Sequence, residues 1–142
     1  MTPRNYKELV QLHTDLYARG LRILAFPCNQ FGNQEPGSTA DIEAFAAGYG
    51  VQFEMFAKVD VNGQSAHPVF KFLRSHLSDI LGSSVKWNWT KFLCDRNGMP
   101  VKRFSPPSNP LSLRAEIEKL LDQQARPIDA AIDQPAEVSE RL

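Results

Sequence analysis

Leu21-Arg22-Ile23-Leu24-Ala25-Phe26 is a nearly continuous apolar run bounded by Gly20 and Pro27, and it runs straight into Cys28-Asn29-Gln30-Phe31-Gly32-Asn33-Gln34-Glu35-Pro36-Gly37. Six apolar-rich residues between a glycine and a proline read as a buried, parallel strand, because a strand covered on both faces has no polar alternation. The ten residues that follow are rich in Asn, Gln, Gly and Pro and read as loop. Upstream, Thr2 and Pro3 read as N-cap and first helical residue. Tyr6, Leu9, Val10, His13, Leu16 and Tyr17 then recur at helical spacing until Gly20 ends the helix.

Downstream, Ser38 with Asp41 three residues on is a capping-box pattern in its Ser/Thr-x-x-Asp/Glu form. It opens a helix with Ile42, Phe45, Ala46 and Tyr49 on one side. Residues 55–61 read as a strand, Asn62-Gly63 as a turn, and residues 68–77 as a short helix starting on Pro68. Residues 90–95 and 101–104 flank Arg96-Asn97-Gly98, a hairpin signal. Asn109-Pro110 caps a last helix carrying Leu113, Ile117, Leu120 and Leu121. The order is helix, strand, helix, strand, helix, hairpin, helix, which predicts an α/β, thioredoxin-like layer. A parallel βαβ unit needs a strand ahead of its first helix, so the expected fold lacks its N-terminal strand. The predicted domain covers residues 1–124. Residues 125–142 turn polar without period and read as a mobile tail.

Composition excludes several classes. The chain has 142 residues and balanced charge, enough for one core and without the basic excess of a nucleic-acid binder. No window is long and apolar enough for a bilayer-spanning helix. Residues 1–6 carry no apolar run of a signal peptide. Cys28 and Cys94 make neither a disulfide framework nor a metal motif, and His13, His67 and His76 are isolated, so no metal site is expected. A reducing, cytoplasmic setting is the default, with an upstream targeting segment left open.

The blocks Phe26 to Gly37 and Lys86-Trp87-Asn88-Trp89-Thr90-Lys91-Phe92 resemble the signature segments of the glutathione peroxidase family. The resemblance runs from Thr2 to about Leu121. The short spacing from Phe72 to Trp87 is similar to the monomeric, phospholipid-hydroperoxide type. It implies thiol-dependent reduction of hydrogen peroxide and organic or lipid hydroperoxides, with no bound cofactor and with glutathione or another external thiol as reductant. In that family the nucleophilic selenocysteine or cysteine stands in a Cys/Sec-Gly-x-Thr turn followed by a helix. Thr2 matches the Thr and Met1 the variable position. The resemblance therefore implies a nucleophile immediately before Met1, and a chain inactive as written. An opal codon read as a stop, or truncation of a cysteine homologue, would each place a start at Met1.

The remaining catalytic residues implied by the resemblance are Gln34, Trp87 and Asn88. Each offers a neutral N–H donor, which can hold an anion and orient a peroxide without adding a charge. By itself Gln34 also reads as a cap for the helix near Ser38, Trp87 as a core aromatic, and Asn88 as a turn residue. Lys86, Lys102 and Arg103 read either as a basic rim for glutathione carboxylates or lipid phosphates, with a peripheral membrane contact, or as a solvated face. Where some relatives carry a resolving cysteine this chain has Ala47. Cys28 reads as a buried thiol, and Cys94 as core-facing. The alternative from another class is a thioredoxin-fold interaction protein without catalysis.

Overall fold

The computed structural model describes residues 1–123; the expected tail, residues 125–142, and the domain boundary at 124 lie outside the described residues. The first helix, α1, spans Thr2–Leu16 with Met1 as its cap residue, one position earlier than the sequence suggested. Pro3 sits in the first turn, where a missing N–H costs nothing. The buried face is Asn5, Tyr6, Leu12 and Leu16. Asn5 is placed there because its Nδ2 donates to Met1 O at 2.9 Å. Tyr17 is exposed: the chain tightens into a 3-10 turn, Tyr17–Arg19, and then reverses at Gly20 with φ +115°. His13 packs on Tyr17 and Phe53, but its buried Nδ1 has no protein partner among the described residues.

Strand β1 is only Leu24–Ala25, and it pairs in parallel with β2, Glu54–Met55. The two expected longer strands continue as extended chain, with Phe56 N bonding Ala25 O and Val59 N bonding Pro27 O, both at 2.9 Å. Pro27 has no N–H to give back, so the ladder cannot extend through it. The expectation of burial also fails: Leu24 is 53 % exposed. A parallel strand is buried when both its edges and faces are covered, and among the described residues β1 has a ladder partner on one edge only. β3, Lys91–Cys94, and β4, Pro100–Phe104, form a separate antiparallel pair with an irregularity at Leu93/Cys94. Their turn is closed by the Asp95 carboxylate, which accepts from Asn97 N and Met99 N, with Gly98 at φ +78°.

Helix α2, Thr39–Ala47, opens on a complete capping box: Asp41 N donates to Ser38 Oγ and Ser38 N to Asp41 Oδ2. Ile42 and Ala46 face inward, whereas Phe45 is exposed along its flank. Helix α3, Pro68–His76, is capped by His67, whose Nδ1 accepts from Val69 N. Asn109 offers no side-chain cap; Pro110–Leu113 forms a 3-10 turn and α4 follows at Arg114–Leu121.

Two cores result. Leu12 and Leu16 of α1 meet Leu113 and Ile117, with Leu21, Ile23, Leu93 and Phe104 around them. The second core joins Cys28, Phe31, Val61 and Val85 to Val59, Phe70 and Phe92. At the rim of the first, Arg114–Asp15 at 2.6 Å ties α4 to α1, and Arg19–Glu118 at 2.7 Å ties it to the 3-10 turn that follows α1.

Candidate active site

The loop after β1 is held by amides that the sequence reading did not single out. Gln30 Oε1 accepts from Val61 N at 2.8 Å and from Asn62 N at 3.1 Å, and Gln30 Nε2 donates to Asn62 O. Asn29 Oδ1 accepts from Glu35 N, and Lys58 Nζ donates to Gly37 O at 2.7 Å. Between these anchors Gly32 and Asn33 take left-handed backbone, φ +64° and +50°. Glycine and asparagine are the residues that adopt it most readily. The turn carries Gln34 out to the surface.

Asn62 performs the second join. Its Nδ2 donates to Val85 O at 2.7 Å and its Oδ1 accepts from Val85 N at 2.9 Å, a two-way bracket that sets residues 86–89 beside the loop. Asn88 Nδ2 then donates to Gln34 Oε1 at 3.1 Å. With its oxygen engaged, Gln34 keeps both Nε2 protons for a ligand. The Trp87 ring stands against Gly32: a Cβ there would lie 3.2 Å from Cη2. Trp87 is 41 % exposed, so it is no core aromatic. Two of the three expected donors are therefore bonded to each other, and the third flanks the same turn.

Trp89 fixes where this cluster lies. Its backbone is left-handed, φ +66°, a costly conformation for a bulky residue that surrounding contacts must enforce. Its Nε1 donates to Thr2 Oγ1 at 3.2 Å, and its ring meets Tyr6 edge-on at 5.1 Å. The donor segment is thus stapled to the first turn of α1. That turn has no acidic residue and no side-chain cap, and the positive end of a helix dipole favours an anion. Tyr6 lies beneath, its hydroxyl pKa pushed up by burial and then by Glu35 and Tyr49.

The glutathione peroxidase family model matches residues 1–74. A glutathione peroxidase of Schistosoma mansoni is 50 % identical over 124 residues, covering 87 % of this chain and 73 % of the relative. The chain belongs to the glutathione peroxidase family. The glutathione peroxidase homolog BsaA of Bacillus subtilis is 54 % identical over 119 residues, covering 82 % of this chain and 74 % of its own length. The phospholipid hydroperoxide glutathione peroxidase of Bos taurus is 52 % identical over 118 residues, 82 % of this chain but 60 % of the relative. Among solved structures, the apo form of Trgpx matches with TM-score 0.70 at 31 % identity, covering 86 % of this chain and 73 % of that one. T. cruzi GPX1 matches with TM-score 0.67 at 34 % identity, covering 82 % and 71 %. The fold is thioredoxin-like α/β, and the family is one of thiol-dependent peroxidases, which are oxidoreductases.

For a glutathione peroxidase, the two cysteines of this chain are poorly placed. Cys28 is 8 % exposed and its Sγ is engaged by Gln30, accepting from the backbone N–H and facing Oε1. The Cys94 thiol is pushed up by burial and by Asp95. A reactive thiol needs the opposite environment, exposed and electropositive. The basic residues divide. Lys86 Nζ donates to Ser84 Oγ, and the Arg103 guanidinium donates to Ser84 O and Ser83 O, so these two meet at Ser84. The Arg103 side chain is only 6 % exposed, too enclosed to serve as an open rim. Lys102, its neighbour along β4, pairs instead with Glu116 at 3.0 Å.

Proposed function

We propose that Gln34, Trp87 and Asn88 are the donor set of a peroxidase site that reduces hydrogen peroxide and organic or lipid hydroperoxides, acting on a selenol or thiol held at the N-terminal end of α1. One observation carries this reading. Asn88 and Gln34 are hydrogen-bonded across 54 positions of sequence, at a cluster that Trp89 ties to Thr2.

The chemistry follows from the donors. A chalcogenolate attacks one peroxide oxygen, the O–O bond breaks, and the other oxygen leaves with a proton as alcohol or water. The anionic form must be favoured over the protonated one, which a helix N-terminus and neutral N–H groups do. The sulfenic or selenenic product then condenses with one thiol, releasing water, and a second thiol displaces the first as a disulfide. Ala47, exposed on the last turn of α2, offers no resolving sulfur, so the thiols come from solution, with glutathione the first candidate. The enzyme so formed is a monomer in a reducing compartment, in peripheral contact with lipid, and Lys86 is the basic group nearest the donor segment in sequence.

Neither cysteine of this chain meets the nucleophile's requirements, which favours a second reading, a scaffold without catalysis. One experiment separates the two. Hydroperoxide turnover with glutathione is measured for the chain as it stands and for a version with a strand ending in Cys-Gly ahead of Met1. Little turnover is expected from the first and clear turnover from the second, falling about 10²-fold in Gln34→Ala or Asn88→Ala, the usual cost of one such donor. Robust turnover of the first protein that vanishes in Cys28→Ser overturns the proposal. So does an extended protein indifferent to both donor replacements.

A further inference from the structure

Trp89, Tyr6 and Tyr49 stand in contact, one after the next, leading away from the donor cluster. The Trp89 ring meets Tyr6 edge-on at 5.1 Å, and Tyr6 stacks on Tyr49 at 5.0 Å with the ring planes 14° apart. Phe45, 56 % exposed, leans on both tyrosines at 6.0 and 5.5 Å. Ring contacts of this kind serve packing in many cores. Here the two ends differ in a way that packing does not ask for. At the inner end, Trp89 holds a backbone conformation that is costly for a bulky residue, and its indole N–H reaches Thr2 Oγ1. That is the end of α1 where the nucleophile of the proposed site stands. At the outer end, Tyr49 lies just past α2 and is half-buried, whereas Tyr6 between them is buried.

Indole and phenol rings give up a single electron far more readily than a phenyl ring does. The three oxidisable rings in contact therefore form a chain with one end at the peroxide site and the other near water, and Phe45 shields it without joining it. The chain's remaining indole and phenol lie outside it. Trp87 touches the Phe31 ring and no tyrosine ring among the described residues. Tyr17 packs on His13 and beneath the Arg22 guanidinium. The Tyr6 phenol is kept protonated by burial first, then by Glu35 and Tyr49. The Glu35 charge that resists a phenolate also favours the positive charge left on a ring from which an electron has departed.

We infer that Trp89, Tyr6 and Tyr49 form a one-electron path that discharges alkoxyl radicals arising at the peroxide site and delivers the oxidising equivalent to a solution thiol at the surface. An alkoxyl radical, formed when a hydroperoxide O–O bond breaks homolytically, takes one electron from the Trp89 indole and one proton from water, and leaves as the alcohol. Tyr6 refills Trp89, and Tyr49 refills Tyr6. Tyr49 loses its phenol proton to water and becomes a neutral phenoxyl radical. A thiol then gives Tyr49 one electron and one proton and becomes a thiyl radical. The sum converts an alkoxyl radical and a thiol to an alcohol and a thiyl radical. The path needs the proposed site only for its purpose, and it is read without any turnover.

The test is pulse radiolysis of the full chain with azide radicals, which oxidise tryptophan selectively at neutral pH. The tryptophan radical absorption should decay in part into that of a tyrosyl radical, in a first-order step whose rate is independent of protein concentration. Trp89→Phe and Tyr6→Phe should each lose that step, leaving the radical on Trp87 or Trp89 to decay between molecules. Tyr6→Phe keeps the ring and its packing, so it decides the matter even where Trp89→Phe costs stability, and its melt is compared with the parent. After continuous radiolysis in azide without thiol, peptide mapping should find oxidation on Tyr49 in the parent and on Trp89 in Tyr6→Phe. Glutathione should remove the tyrosyl signal of the parent. A conversion that survives in Tyr6→Phe, one whose rate rises with protein concentration, or oxidation at Trp89 equal in parent and Tyr6→Phe overturns the inference.

Discussion

Replacing Arg103 by Met should loosen the segment from Leu77 to Ser84 and lower the stability of the whole domain. The guanidinium is almost enclosed and donates to Ser83 O at 2.9 Å and Ser84 O at 2.5 Å. A third bond, to Leu77 O at 3.5 Å, is at the limit of a hydrogen bond and counts for little. The Asp79 contact, at 3.7 Å with a 36 % exposed carboxylate, is worth well under 1 kcal/mol. Hydrogen bonds from a charged donor contribute roughly 1.5–3 kcal/mol each. Burial already opposes the charge, shown by the lowered Arg103 pKa, and the exposed Ser83 segment can recover water. The net loss is therefore about 2–4 kcal/mol, out of a domain margin of roughly 5–15. Met keeps the stem volume and so isolates the polar term. For a domain of this size the melting temperature should fall by roughly 10 °C, and amide exchange at residues 78–84 should accelerate. A change below about 1 kcal/mol with unaltered exchange would refute the argument. It would show that the Asp79–Gly82 turn holds itself.

Two further predictions concern other elements. Lys91, whose Nζ donates to Pro106 O and Ser108 O, has its pKa pushed down to about 8 by burial, with Glu8 opposing. Its charge therefore penalises the fold below that pH, and the penalty fades as pH rises from about 8 toward the ordinary lysine value. The stability of the parent relative to Lys91→Met should rise by about 1 kcal/mol between neutral and mildly alkaline pH, a discounted figure because the amine is half-exposed. A constant difference in paired melts would contradict it. Gly32→Ala must adopt φ +64° with its Cβ 3.2 Å from the Trp87 ring. A cost of about 1–2 kcal/mol and a shifted tryptophan emission are expected; unchanged emission would mean that Trp87 does not rest on this turn.

The parts of this fold legible in the sequence are those fixed by local chemistry. The Ser38–Asp41 box, Pro68 at the start of α3 and the Asn97-Gly98 turn are short-range signals, and each appears where read. The strand at residues 21–26 is shorter than its apolar run predicts, because such a run reports what side chains want, and not whether ladder partners exist on both edges. The inward turn of Arg103 was invisible because its acceptors are backbone carbonyls from residues 77–84, which leave no mark on composition. The same holds for Gln30 and Asn62. Their amides bracket distant backbone groups, and each lies in a segment that reads as polar loop or turn, where one more amide does not stand out. Gln34 and Asn88 were nameable from the two blocks, but their mutual bond follows from those brackets and not from either block alone.

The hairpin decides whether the site can hold its shape. On β3, Phe92 packs into the core around Cys28, Phe31 and Val61, while its neighbour Leu93 packs into the core around Leu12 and Leu16. Successive strand residues point to opposite faces, so one strand serves as the seam between both cores. Among the described residues the backbone ladders do not join β1–β2 to β3–β4, so side-chain packing across this seam and the Asn62–Val85 bracket hold the halves together. The donor segment enters β3 directly, with Trp89 two residues before Lys91. A one-residue slip of β3 against β4 would exchange Phe92 and Leu93 between the cores. It would also pull Trp89 away from Thr2 and Asn88 away from Gln34. The geometry that supports peroxide chemistry is thus fixed by register. That register is enforced by hydrophobic cores on opposite faces of β3, acting together with the Gln30 and Asn62 brackets.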